Sequence, residues 1–407
     1  MEAPEKHNPP WLFGVLCLPY GLGNAIITIL IPYLLRKQGV PVDRIAAVVA
    51  VSTVPTIWAF VYSPVVDMGL RRRTWLFLAA GSAALFSAFG VLVSARSLTT
   101  LTAFLFLSTV VSGLISSANG ALLTALPAAV HGRAAGWYNA GNIGGGALGG
   151  GLAIWLADRV TLQGLAVCVA LILALPILAA FRVVETPIAR SAVWPRVVSL
   201  GRDLRTLLTS RRTLAGLVFL LSPVGSAAIA NLISGVGPDY RASAGEVLLI
   251  SGIAGGLLNA FGSLAGGFLC DRMNVRKAYA FSGLLAALFA GYLALASHTP
   301  FTYAAGYSGY AIAGGFAYAV FTALVLEILG PQRHAAATSY SLLVASANLP
   351  IVYMTWFDGL GYKHWGARGM MSVDALANGI GGLALLWFAV YTRRFWTRET
   401  SQAKPSS

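Results

Sequence analysis

The chain is punctuated by apolar stretches, each long enough to cross about 30 Å of hydrocarbon as a helix, with charged residues held in the gaps between them. Twelve can be marked, at 11–35, 45–67, 74–94, 98–125, 134–157 and 161–181, then at 213–237, 246–270, 278–297, 301–328, 335–357 and 370–392. Inside a bilayer such a segment finds no water for its amides and carbonyls, so it closes its own hydrogen bonds as an α-helix. The fold class that follows is an all-α membrane protein. Composition agrees: 57% of the 407 residues are apolar and only 10% are charged, against roughly 25% charged in soluble domains. Most of the outer surface must therefore face lipid.

A formal net charge of +14 would suggest nucleic acid in a soluble protein. Here the basic residues sit between spans, where they report topology instead, so no nucleic-acid partner is expected. With the amino terminus inside, twenty of the 28 Lys and Arg fall on the inner side and eight on the outer. The outer set is Arg36, Lys37, Arg44, Arg96, Arg159, Arg241, Lys363 and Arg368. This bias predicts an even number of crossings, both termini cytoplasmic, in a multi-pass protein of the inner (plasma) membrane. Residues Met1 to Pro10 lack the basic start and the small-residue cleavage site of a signal peptide, so the first span is expected to act as an uncleaved anchor. Cys17, Cys168 and Cys270 are scattered and odd in number, and give neither a disulfide framework nor a metal site.

Sliding the chain by 204 residues superposes Pro19 on Pro223, Gly21 on Gly225, Asp67 on Asp271, Arg72 on Arg276, Arg73 on Lys277 and Pro127 on Pro331 without a gap. A single offset linking the first span, the loop after the second and the end of the fourth points to duplication. The predicted organisation is a six-helix bundle over 1–190, a cytoplasmic linker over 191–212 and a second six-helix bundle over 213–407 with a short cytoplasmic tail. From Arg182 to Arg212 the chain carries seven arginines against Glu185 and Asp203, the pattern of a surface segment rather than a domain.

The loop after the second span reads Ser63-Pro-Val-Val-Asp67-Met68-Gly69-Leu70-Arg71-Arg72-Arg73, and its counterpart reads Gly267-Phe-Leu-Cys-Asp271-Arg272-Met-Asn-Val-Arg276-Lys277. Both resemble the G-x-x-x-D-R-x-x-R-R/K signature of major facilitator transporters, with Ser63 and Met68 as departures in the first copy. A small residue lets a neighbouring helix approach, while the Asp can cap a helix start and pair with Arg. The resemblance implies a major facilitator fold of twelve transmembrane helices in two pseudo-symmetric six-helix bundles, with Asp67, Arg71, Arg72, Asp271, Arg272 and Arg276 as gate residues. The run Glu327-Ile-Leu-Gly-Pro331-Gln-Arg333-His334 looks like the E-x-x-x-P-x-x-R pattern of sugar-porter relatives with the arginine one residue early, which adds Glu327 and Arg333 to the gate. An intramembrane carboxylate at Glu327 needs a partner, and Arg272 or Arg333 is the expected one. Glu327 is also the candidate proton carrier, with His334, Asp67 and Asp358 as other titratable groups; no acidic residue is expected near the middle of a span.

Nine glycines between Gly132 and Gly151 form a ladder in the fifth span. Its spacing resembles the signature of proton-driven drug antiporters, yet small residues at this spacing also serve close helix packing, which is the favoured reading. Polar groups deep in the spans are the substrate-cavity candidates: Tyr20, Asn24, Asn119, Asn142, Asn231, Asn259, Asn348 and Tyr353. Without a G-x-x-x-x-G-K-S/T loop, a metal cluster or a nucleophile–base pair, neither an ATP-driven pump nor an intramembrane enzyme is expected, and no cofactor.

A closer resemblance covers roughly the first 80 residues. Leu18-Pro19-Tyr20-Gly21, Pro32 to Val40, and Phe60-Val-Tyr62-Ser63-Pro64-Val-Val-Asp67 with Arg71-Arg-Arg-Thr-Trp75 look like the opening of AmpG-type muropeptide permeases, on the branch that also holds acetyl-coenzyme-A transporters and siderophore importers. Muropeptide permeases of this type carry a lysine just before the F-L-W-S-P run, where this chain has Ala59. The resemblance implies a secondary active, proton-coupled importer of an organic solute such as a cell-wall fragment. Siderophore import and drug or metabolite antiport are alternatives within transport, and a non-transporting membrane receptor is the reading from another class. The partners implied are the lipid bilayer, a small organic solute and protons, with the chain as a monomer.

Overall fold

The computed structural model describes residues 7–68, 70–185, 202, 205–206, 208–330 and 335–391. They are helical almost throughout, with no strand among them. In chain order we number α1 Pro10–Lys37, α2 as the bent pair Asp43–Thr56 and Ala59–Asp67, α3 Arg72–Val93, α4 Leu98–Leu123, α5 over 131–157 and α6 Leu162–Arg182. The second set is α7, broken into Arg211–Leu220 and 229–240, then α8 Ala244–Cys270, α9 Val275–Leu295, α10 Pro300–Leu329, and α11 and α12 within Ala336–Tyr391.

By length and hydropathy alone, eight helices qualify as spans, and the bent α2 makes nine. The rest are hidden for physical reasons. The helix Asn348–Tyr391 is interrupted at Trp365 (φ −137°) and Gly366 (φ 64°), so the segment Ala336–Tyr391 is two spans joined by a tight turn. Gly361 and Gly369 pack backbone to backbone on either side of that turn. Glycine dilutes the hydropathy of α5, and α7 is broken in its middle. Twelve spans result.

The helices gather into two compact units: one of Met1–Val130, Trp137–Leu200 and Pro331–Ala345, the other of His131–Gly136, Gly201–Gly330 and Ser346–Ser407. Each unit thus takes a short segment from the opposite sequence repeat. In the first, Leu22, Ile26 and Leu30 of α1 pack with Ile45 and Val48 of α2, Ala84 and Val91 of α3, Leu101 and Leu105 of α4, and Leu165 and Val169 of α6. The glycine ladder serves this packing: a Cβ on Gly141 would collide with the backbone of Gly14, and one on Gly145 with Leu18. Close approach has displaced the hydrogen-bond register of α5, which runs as a π-turn over Ala140–Gly144 beside α1. Near the end of α1, the Tyr33 hydroxyl and Lys37 Nζ donate to Asp158 at 2.6 and 2.9 Å. These bonds hold the exposed Asp158 carboxyl below its ordinary pKa.

In the second unit α10 is the central helix, apolar on every face and buried nearly all round. Tyr303, Tyr307 and Tyr310 of α10 meet Ile229 and Ile233 of α7, Ala290 and Leu293 of α9, and Met370 and Met371 of α12. The break in α7 follows from Pro223, Gly225 (φ 79°) and Ala227 (φ 49°). Broken backbone at this depth needs other donors, and two tyrosines supply them. The Tyr353 hydroxyl donates to the Leu221 carbonyl at 2.9 Å, and that of Tyr279 to Val224 at 2.6 Å. At the equivalent place in the first repeat α1 continues as a helix through Pro19.

Candidate functional site

The two repeat-related aspartates make matching contacts. Asp67, at the end of α2, accepts hydrogen bonds from the Ala337 amide (3.1 Å), the Thr338 amide (3.0 Å) and the Thr338 hydroxyl (2.8 Å). Asp271, just past α8, accepts from the Gly132 amide (2.8 Å), the Arg133 amide (3.3 Å) and Arg133 Nε (2.5 Å). Each carboxylate therefore occupies the free amides at the start of a helix contributed by the other repeat. The amides of a first helical turn have no intrahelical acceptor, and the dipole there favours negative charge. Asp271 adds an ion pair, with its side chain only 9% exposed.

The small-residue position four before each aspartate differs between the copies. In the second, a Cβ on Gly267 would strike the Gly132 carbonyl and the Gly136 backbone. In the first, Ser63 is fully buried and its hydroxyl meets Ser117 Oγ at 2.7 Å and Ser341 Oγ at 2.8 Å, while Ser117 and Ser341 lie 2.8 Å apart. A triangle of hydroxyls replaces the glycine contact. Each serine can donate once and accept twice, so the three satisfy one another away from water.

Arg72 and Arg276, also related by the repeat, are both buried. Arg72 lies beside Asp67 and Glu185, and its amide donates to Glu185 Oε2 at 3.1 Å. Burial pushes the Glu185 carboxyl above its usual range, and the charge of Arg72 opposes the shift. Arg276 Nε stands 3.6 Å from Glu327 Oε1, and the Arg212 guanidinium donates to the Glu327 carbonyl. The expected pairing of Glu327 with Arg272 is thus corrected. Arg272 lies in the loop before α9 and stacks its guanidinium over Phe268, 4.0 Å from the ring centroid, whereas Arg276 sits in the first turn of α9 facing inward. Arg71 is exposed at the cap of α3. Gly69, Pro331, Arg333 and His334 lie outside the described residues.

The cavity candidates fall four to each unit. In the first, Asn119 is fully buried and its Nδ2 donates to the Leu16 carbonyl at 3.1 Å, tying α4 to α1. Tyr20 and Asn142 are half-buried, Asn24 is exposed, and Tyr20 lies near Cys17, Tyr62 and Tyr138. In the second unit, Asn231 is exposed and donates to Thr355 Oγ1 at 3.1 Å, while Tyr353 caps the α7 break. Asn259 and Asn348 are half-buried, and Asn259 Oδ1 has no partner among the described residues.

One site brings together two acids that the sequence reading did not pair. Asp358 of α11 and Asp374 of α12 are both fully buried in the second unit, within hydrogen-bonding reach of each other. Hydropathy averaging hides single acids in apolar runs, and span edges at 357 and 370 leave Asp358 outside and Asp374 near an end. The available signal is two aspartates flanking a turn that carries Gly359, Gly361, Gly366 and Gly369.

Comparison with known proteins accords with this architecture. A proton:xylose symporter, XylE, bound to 6-bromo-6-deoxy-D-glucose superposes with a TM-score of 0.71 at 14% identity, covering 95% of each chain. The E. coli fucose:proton symporter FucP gives 0.69 at 14% identity, over 93% of this chain and 98% of its own. The human organic anion transporter MFSD10 (TETRAN) gives 0.67 at 15% identity, over 92% and 98%. At these identities the likeness is one of fold. No curated protein sequence matches the chain. The family model of the Major Facilitator Superfamily matches residues 13–347, and the chain, a multi-pass membrane protein, belongs to that superfamily.

Proposed function

We propose that this protein is a secondary active transporter that imports an organic solute, a cell-wall fragment of the muropeptide kind, using the proton gradient across the plasma membrane. The observation that carries the transport reading is the pair of equivalent interlocks at Asp67 and Asp271. Each fastens a loop of one repeat to a helix start of the other through one carboxylate and two amides, so it forms or releases as a unit. A static receptor has no use for two such fastenings. In this reading Asp67, Arg72, Asp271, Arg276 and Glu327 are the gate, Arg71 and Arg272 flank it, and the eight Asn and Tyr candidates contribute to solute binding. Proton coupling draws support from the two fold neighbours that are themselves proton symporters. The muropeptide class rests on the resemblance of the first 80 residues to AmpG-type permeases. Counterflow in proteoliposomes against a panel of muropeptides, siderophores and dyes tests it. Exchange of a labelled muropeptide, accelerated by an acidic exterior, is the expected outcome. Exchange of a siderophore or a dye, with every muropeptide inert, overturns the substrate class.

A further inference from the structure

The buried pair Asp358 and Asp374 has no part in the gate, yet two acids within a membrane-spanning core are costly to keep. Their surroundings are unequal. Asp374 is well supplied with donors: the Tyr310 hydroxyl lies 3.2 and 3.1 Å from its two oxygens, and Asn378 Nδ2 lies 3.0 Å from Oδ1. Tyr310 is itself within reach of the Ile229 amide, directly after the break in α7. Asp358, by contrast, has no donor on either oxygen among the described residues, although both oxygens are buried. The Asn378 Oδ1 beside the pair is likewise buried without a partner among the described residues.

The groups around the pair can be named helix by helix. Asp358 comes from α11, Asp374 and Asn378 from α12, Tyr310 from α10 and the Ile229 amide from α7. From α9, Gly283 packs against the Asn378 carbonyl. Among the described residues no Lys, Arg or His faces either carboxyl. Two carboxylates in contact, away from water and without a cation, cannot both be ionised. The hydrogen bonds also decide which one is charged. A carboxylate needs donors, and only Asp374 has them; a protonated carboxyl can donate instead, and Asp358 has Asp374 to receive its proton.

We propose that Asp358 and Asp374 are the proton-binding site of this transporter: Asp358 carries one proton, donated to the Asp374 carboxylate, and Tyr310 and Asn378 are positioning residues. The inference rests on the proton-coupled reading above and moves the proton from Glu327, which Arg276 already pairs. In the enclosed form the pair holds one proton and a single negative charge; the doubly negative form requires that water reach the pair to hold the second charge. Release returns that proton to water and restores the repulsion. Each aspartate stands seven or eight residues from the Trp365–Gly366 turn, which at about 1.5 Å per residue puts the pair on the order of 10–12 Å along the helices. That turn lies on the side the charge bias assigns to the exterior, from which an importer must load. The Ile229–Tyr310–Asp374 chain connects the pair to the break in α7, so gain or loss of the proton bears on a segment whose backbone is already interrupted.

Infrared difference spectroscopy of the full chain in lipid nanodiscs, compared in light and heavy water at neutral pH, needs no solute. It should show the carbonyl stretch of a buried, protonated carboxyl. Asp358→Asn should abolish that band, Asp374→Asn and Tyr310→Phe should shift it, and Glu327→Gln should leave it in place. The assignment is overturned if wild type lacks the band, if Glu327→Gln alone removes it, or if replacing potassium chloride by sodium chloride abolishes it, which would mark a metal-cation site. Solute exchange insensitive to a pH gradient, with the band intact, would instead defeat the proton-coupled reading and leave the protonated pair standing.

Discussion

At Asp271 one carboxylate accepts from two backbone amides and a guanidinium, and at Asp67 another accepts from two amides and a hydroxyl. Removing a helix-capping side chain costs about 1 kcal/mol, with more for bonds to a charged group. A loss of that size shifts an equilibrium between locked and released forms by roughly tenfold. Asp67→Ala and Asp271→Ala should therefore leave folded protein in the membrane while lowering solute counterflow. The Asp271 change should be the more severe, because it also strands Arg133. Wild-type counterflow in the Asp271 variant at equal expression would remove it from the gate. These aspartates are legible because the loop motif recurs at a fixed offset. The partner of Glu327 is not, since the loop motifs point to Arg272 or Arg333 and only the helical phase of α9 turns Arg276 inward.

Among the elements, α7 departs furthest from its repeat partner. Pro19 and Pro223 occupy equivalent places, yet α1 remains continuous and α7 opens from Leu221 to Ala228. The difference lies in what surrounds them: α7 has Tyr279 and Tyr353 to take up the carbonyls that the break releases. A buried carbonyl left without a donor costs about 1–3 kcal/mol. Tyr279→Phe should therefore lower the thermal midpoint of the purified protein clearly, because Tyr279 is fully enclosed. Tyr353→Phe should lower it less, because its surroundings are half open and water can replace the hydroxyl. Equal midpoints for Tyr279→Phe and wild type would show that the break needs no such support. Hydropathy marks α7 as one uninterrupted stretch, since Pro and Gly signal a possible interruption without fixing whether neighbours will stabilise it. The acidic pair escapes for a related reason: the turn that brings α11 back as α12 sets Asp358 against Asp374, a tertiary consequence that no window along the chain contains.

Across the whole molecule, the 204-residue offset links features that the structure then treats alike or differently. Asp67 and Asp271 bind helix starts, and Arg72 and Arg276 are both buried. Ser63 and Gly267 solve the same close approach by different means, one with a hydroxyl triangle and the other by omitting a side chain. Duplication conserves the position of a contact more strictly than its chemistry, which explains why the repeat shows only at a few landmarks. The even number of spans also fixes what topology to expect. With twenty basic residues on one side and eight on the other, reporters placed after Ser407 and within the 191–212 linker should be active only if they work in the cytoplasm. A reporter inserted at the Trp365–Gly366 turn should behave in the opposite way, because the charge bias assigns the join of α11 and α12 to the outer side. This third position tests the assignment most sharply: if the segment Ala336–Tyr391 crossed the membrane once, the turn and the carboxyl terminus could not both be reported as predicted. A cytoplasmic signal from Trp365–Gly366 would reverse the orientation of the second repeat and place the Asp358–Asp374 pair at the wrong end of the membrane for loading protons from outside.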